Sequence, residues 1–207
     1  MDFTKVKQAL ETNGFAVSTF ETAAEAAQYL NGKIDGKSVA FGGSVTVEQL
    51  GMYDLLASHN ELFSHWHVPE GMTPAEVQRK AMGTQVYLTS ANGLAETGEL
   101  INIDGTGNRV AGSLFGHEKV YFVVSTNKIE PSLEEAVFRA RNVAAPKNSL
   151  KYDLPTPCVI HYKRTGELKC FDCRRPERIC NGIITYLRKM NDIEDVEVVL
   201  INEEMGF

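Results

Sequence analysis

The chain carries no cysteine before residue 158, no surplus of basic residues and no apolar run near the length of a membrane span. Each absence excludes something. A spanning helix needs about 20 consecutive apolar residues, so none is expected. Lys and Arg total 21 against 27 Asp and Glu, a net charge of −6. Nucleic acid is therefore not an expected partner, since phosphate backbones call for a basic face. The opening MDFTKVKQALETNGF lacks an apolar h-region, so no signal peptide is read and a cytoplasmic location with reduced thiols is the default. Internal repeats, low-complexity tracts, a P-loop and a GxGxxG are also missing.

What is present fits one α/β domain over residues 1–207. The apolar fraction is 43% and the charged fraction 23%, ordinary for a soluble globular chain. Strand-like and helical stretches alternate. Strands are expected at 15–20, 38–41, 62–68, 85–89, 98–103, 119–125, 182–187 and 196–201. Helices are expected at 2–13, 22–30, from 46 onward, 73–83, 109–115 and 132–145. Thr22-x-x-Glu25, Thr46-x-x-Gln49 and Thr73-Pro74-x-Glu76 have capping-box spacing. Such alternation implies βαβ units, a mostly parallel sheet and helices on both faces. Residues 146–157 read as irregular, and 146–181 as a cysteine-containing appendage too short for its own core.

Ligands in such sheets bind off the carboxyl ends of strands. Three segments leave strands there. Gly42-Gly43-Ser44 enters a helix, as an anion-binding turn or a plain tight turn capped by Ser44 or Thr46. Thr89-Ser90-Ala91-Asn92-Gly93 and Glu96-Thr97-Gly98-Glu99 offer small hydroxyls and amides, with Glu96 the candidate base or nucleophile. Asp104-Gly105-Thr106-Gly107-Asn108-Arg109 is a turn by composition. Turn chemistry does not explain Arg109, whose planar fork suits a carboxylate or phosphate, or an internal acid. The candidate ligand-binding set is therefore Gly42, Gly43, Ser44, Thr89, Ser90, Asn92, Thr97, Gly98, Asp104, Gly105, Thr106, Gly107, Asn108 and Arg109.

The four cysteines, Cys158, Cys170, Cys173 and Cys180, form a separate candidate centre. A CxxC pair is a common half-site for zinc or an iron–sulfur cluster, and four thiolates complete a tetrahedral set. Free thiols or a disulfide are the alternatives. His65 and His67 are expected on one strand face, either side of Trp66. His117, after Gly116, falls at a helix end that favours a cation.

GGSVTVEQLG at 42–51, TSANGLAETGELINIDGTGNRVAGSLFG at 89–116, NKI at 127–129, LEEAVFRARNVAAP at 133–146 and CxxC…ERICN at 170–181 resemble the LUD-domain family. The family is named for bacterial lactate utilisation. The resemblance implies a fold like the sugar-phosphate isomerase and CoA-transferase superfamily. It also implies a component of 2-hydroxy-acid utilisation, with a small anionic metabolite and iron–sulfur oxidoreductase subunits as partners. Two other readings stay open. One is a stand-alone sugar-phosphate or CoA-ester type enzyme using Glu96. The other is a non-catalytic anion-binding or docking module.

Overall fold

Strand residues alternate between two cores, and that alternation builds the molecule. The computed structural model describes all 207 residues, Met1–Phe207. The strands are β1 (Ala16–Phe20), β2 (Ser38–Phe41), β3 (Glu61–Ser64), β4 (Val86–Thr89), β5 (Gly93–Ala95), β6 (Leu100–Asp104), β7 (Lys119–Ser125), β8 (Ile129–Glu130), β9 (Gly182–Tyr186) and β10 (Asp195–Ile201). The helices are α1 (Thr4–Thr12), α2 (Ala23–Lys33), α3 (Val45–Gln49), α4 (Met52–Leu56), α5 (Pro74–Ala81), α6 (Asn108–Leu114), α7 (Leu133–Arg139), α8 (Ala145–Lys151) and α9 (Pro157–Thr165). Six strands form one all-parallel sheet in the order β1-β10-β7-β4-β2-β3.

Side chains at even and odd positions of each strand take opposite faces. Val39, Phe41, Leu88, Tyr121, Val123, Val199 and Ile201 meet Leu30 of α2, Val47 of α3 and Leu56 of α4. Ala40, Tyr87, Val120, Phe122, Val124, Val198 and Leu200 meet Val6 and Leu10 of α1 and Ala81 of α5. This second face also packs Leu94, Leu100 and Tyr186, which belong to a second sheet. That sheet runs β8-β5-β6-β9 and is mixed: β5–β6 and β6–β9 are antiparallel and β5–β8 is parallel. One face is thus covered by helices, the other by helices and a small sheet. No helix is long and apolar enough to cross a membrane.

Several local expectations change. The capping boxes at Thr22 and Thr73 form, each with reciprocal Glu contacts. The one expected at Thr46 does not. Ser44 caps α3 instead, accepting from the Val47 amide, because the Thr46 hydroxyl is engaged elsewhere. The helix from 46 breaks at Gly51, which is left-handed and separates α3 from α4. The 22–30 helix runs through Asn31-Gly32 to Lys33, since Gly32 finds no positive φ to stop it. Strand β3 ends at Ser64, so His65 and His67 lie in a turn rather than on a strand face. The 146–157 stretch is partly helical. A π-turn at Ala140–Ala144 joins α7 to α8, and the extra residue lets Pro146 enter without an N–H. Residues 166–181 carry no regular structure.

Candidate functional site

The carboxyl ends of β2, β3, β4 and β7 open into one cavity of about 730 Å³. Small-molecule sites are commonly 300–1,000 Å³. One wall is Gly43–Thr46, entering α3. The floor is Ser90–Asn92 with Lys128. A second wall is Ile103–Thr106 with Asn108 and Arg109. His65 and Trp66 face them, and Tyr152, Ile179, Cys180 and Phe207 close the rim.

A buried polar lattice fixes the floor. Asn102, fully buried, donates Nδ2 to the Ser90 carbonyl at 3.1 Å and accepts the Asn92 amide at 3.1 Å. Asn92 Oδ1 accepts from the Ile103 amide at 2.8 Å and from Arg109 Nη2 at 2.9 Å. Arg109 Nη2 also donates to the Ile103 carbonyl at 2.5 Å. Both hydrogens of Nη2 are thereby used, and the rest of the guanidinium is unengaged. Gly42 sits beneath: a Cβ there would lie 2.8 Å from Thr89 Oγ1 and 2.9 Å from Arg109 Cγ. The missing side chain is what lets Arg109 lie flat against β2.

Three basic side chains gather at this floor. Lys128, 3% exposed, donates Nζ to Thr46 Oγ1 at 2.5 Å and to Ser90 Oγ at 2.8 Å. Arg139 stands behind it, 5% exposed, and donates to the carbonyls of Asn127 at 2.6 Å and Asn92 at 2.5 Å. No carboxylate pairs with Lys128 or Arg109 in the structure. Asp104, nearest to Arg109, spends its oxygens on the amides of Gly107 and Val110 at the start of α6. Glu130 stands 3.9 Å from Arg139. Burial pushes the Lys128 amine well below the usual lysine range, and the charges of Arg139 and Arg109 push the same way. Burial likewise lowers Arg109 and Arg139, opposed by Asp104 and Glu130 respectively. His65 is held below its ordinary value by burial and then by Lys151, with Asp104 opposing.

Of the residues expected from sequence, Gly43, Ser44, Ser90, Asn92, Asp104, Gly105, Thr106, Asn108 and Arg109 line the cavity together. Gly42 and Thr89 lie just beneath it, and Gly107 is the N-cap of α6. Glu96, Thr97 and Gly98 lie elsewhere. Glu96 pairs with Lys5 of α1 at 2.6 Å, Thr97 Oγ1 bonds Glu99, and Gly98 packs against Ala9 and Asn13. The physical reason is the short strand β5: it turns the chain back under α1 before Glu96 is reached. Lys128, Thr46, Arg139, His65 and Trp66 were not singled out as site residues. A signal for Lys128 was available, because it follows the most hydrophobic strand at its carboxyl end. Arg139 lies three residues from buried Ala136 on the apolar stripe of α7, where a cation needs partners.

The cysteines are all free and all half-buried. Cys180 lines the cavity rim. Burial raises its thiol, Arg178 opposes that, and Cys170 and Cys173 add to it. Arg178 clamps the loop by donating to the carbonyls of Cys180 at 2.8 Å and Cys173 at 2.5 Å. Cys158 is in α9, its Sγ 3.2 Å from Thr156 Oγ1. As placed, no three His, Cys, Asp or Glu side chains converge to hold a metal ion. His117 is buried and stacks on Tyr87 at 4.8 Å, and burial lowers its pKa, so it is no cationic cap.

The cysteine loop docks against the site through Gly105. Asn181 donates its amide to the Asp104 carbonyl at 2.9 Å and its Nδ2 to the Gly105 carbonyl at 3.0 Å. A Cβ on Gly105 would fall 2.5 Å from the Ile179 carbonyl. Gly105→Ala is therefore expected to push 179–181 outward, cost about 1–3 kcal/mol and speed alkylation of Cys180. Peptide-mapped iodoacetamide labelling reads the second effect. Unchanged labelling would show that the loop is not held there.

The molecule is thus a doubly covered parallel sheet with a cavity at its carboxyl edge lined by basic and small polar side chains. The chain belongs to the LUD-domain family, whose model matches residues 3–201. Among solved structures it is similar to a DUF162 family protein from Deinococcus radiodurans. The two are 15% identical, with a TM-score of 0.50 over 97% of this chain and 99% of that one. A search of curated proteins returned no match.

Proposed function

We propose that the cavity binds a small carboxylate of the 2-hydroxy- or 2-oxo-acid type, and that the chain serves as a component of lactate utilisation. The observation that carries this reading is Arg109. In a chain of net charge −6, its guanidinium faces the cavity without an acid partner, beside the buried amine of Lys128. Buried cations are normally paired, so an anionic occupant supplies what the protein leaves out. The unengaged edge of Arg109 suits a carboxylate. Ser90, Asn92 and Asn108 provide hydroxyl and amide groups for an α-oxygen. Glu96 does not support the stand-alone enzyme reading, since it is tied to Lys5 outside the cavity.

Thermal unfolding with lactate, pyruvate or oxalate tests the reading, with inorganic phosphate as a competitor. Ligand at 100 times Kd contributes about 2.7 kcal/mol, roughly a 5–10 °C shift for a chain of this size. Arg109→Met is expected to abolish the shift while the fold survives. No shift with any of the three carboxylates, or an equal shift in Arg109→Met, would overturn it.

The cysteine loop supports a second, separate reading: a zinc or iron–sulfur site that steadies one rim of the cavity. Cys170, Cys173 and Cys180 share one loop beside Arg178, with Cys158 on the neighbouring helix. Ligation needs these donors to draw together, so no chemical step is assigned to such a centre. Iron and zinc per chain after anaerobic purification test it. Cys173→Ser with undiminished metal would remove the loop from consideration.

A further inference from the structure

We propose that Lys128 is a covalent nucleophile whose Nζ condenses with the carbonyl carbon of a 2-oxo acid in the cavity, giving an imine and water. The inference rests on the carboxylate reading above and goes beyond it by assigning a bond-forming group. Lysine used for charge alone sits in water or against an acid. Lys128 does neither: it is 3% exposed, lines the cavity and touches no carboxylate. Arg139 and Arg109 are the charged groups that bear on it, and both are cations. Burial and these neighbours favour the uncharged amine. The two hydrogens of that amine are accounted for by Thr46 Oγ1 and Ser90 Oγ. Its lone pair is then free for a carbon centre.

The step balances without an oxidant or reductant. The Nζ lone pair attacks the carbonyl carbon and the carbonyl π pair moves to oxygen. Both amine hydrogens pass to that oxygen, relayed by the Ser90 and Thr46 hydroxyls in contact with Nζ. The oxygen leaves as water while nitrogen closes the C=N bond. Arg109 holds the substrate carboxylate during this exchange, which keeps the carbonyl beside Nζ.

The test uses the full chain, pyruvate and sodium cyanoborohydride, read by intact mass and peptide mapping. The expected result is one reduced pyruvyl adduct per chain, mapped to Lys128, and lost when the protein is unfolded in urea beforehand. Lys128→Arg, folded by circular dichroism, is expected to lose the adduct. Pyruvate-induced stabilisation without an adduct at Lys128 would overturn the nucleophile and leave the carboxylate site standing. Adducts spread over exposed lysines would also overturn it. Neither stabilisation nor adduct would remove both.

Discussion

Arg139→Met is expected to lower stability by about 2–5 kcal/mol in urea unfolding with an unchanged m value. The guanidinium satisfies the carbonyls of Asn127 and Asn92, with that of Phe207 at 3.4 Å. Methionine fills similar space and satisfies none of them. Each buried acceptor left bare costs about 1–3 kcal/mol, and Arg139, itself 5% exposed, donates to two. Against a total of about 5–15 kcal/mol this is a large share. The loss also reaches function, because the Asn92 carbonyl fixes the segment that carries Ser90 and Asn92. The carboxylate-induced thermal shift is expected to shrink with stability. A loss below about 0.5 kcal/mol, the ordinary surface-substitution range, would show that the carbonyls find other donors.

Lys128→Met is expected to act in the opposite direction on stability. Burying the amine costs about 1–3 kcal/mol that an apolar side chain of similar length does not incur. The gain is reduced by the hydrogen bonds that Thr46 and Ser90 lose. The pH dependence follows from the depressed folded-state value. Between that value and about 10.4 in the unfolded chain, the unfolded state holds more protons. Wild-type stability therefore rises with pH through this window, and Lys128→Met lacks that slope. The advantage of the variant narrows toward pH 10 as the wild-type penalty is relieved. Urea midpoints from pH 6 to 10 for both chains measure this. An advantage that stays constant with pH would mean that Lys128 titrates alike in both states. Stabilisation joined to loss of ligand response is the trade expected of a residue kept for its chemistry.

The parallel sheet was legible because period-2 burial and helix caps are local signals. Thr22-x-x-Glu25 and Thr73-Pro74-x-Glu76 formed as written, and KVYFVVS is strand β7 residue for residue. Half of the second sheet was legible, since β6 and β9 match the strands expected at 98–103 and 182–187; the other half was not. Strand β5 is three residues and β8 two, too short to show a period; β5 exists through pairing with β6, and β8 through pairing with β5. Of the segments expected at 42–44, 89–99 and 104–109, Gly43, Ser44, Ser90, Asn92, Asp104, Gly105, Thr106, Asn108 and Arg109 line the cavity, since strand ends announce it. Glu96 misled because its direction depends on β5 turning under α1, a tertiary fact. For Lys128 and Arg139 the strand end and the apolar stripe of α7 mark the places, but the partners that hold them, Thr46, Ser90, Asn127 and Asn92, are set by tertiary packing. Thr46 shows the same limit, since its capping-box spacing was overridden by a lysine 82 positions away.

Strand β10 lies between β1 and β7, and β1 has no other partner in the sheet. Residues 16–20 pair with 197–201, so the earliest strand waits for the latest one. During synthesis the β1 edge stays unpaired until β10 has been made. Contacts of such sequence separation slow folding and leave strand edges open to other chains. A ribosome stalled before residue 195 thus presents a sheet with two open edges where the finished protein has neighbours. Such a nascent chain is a natural client for chaperones.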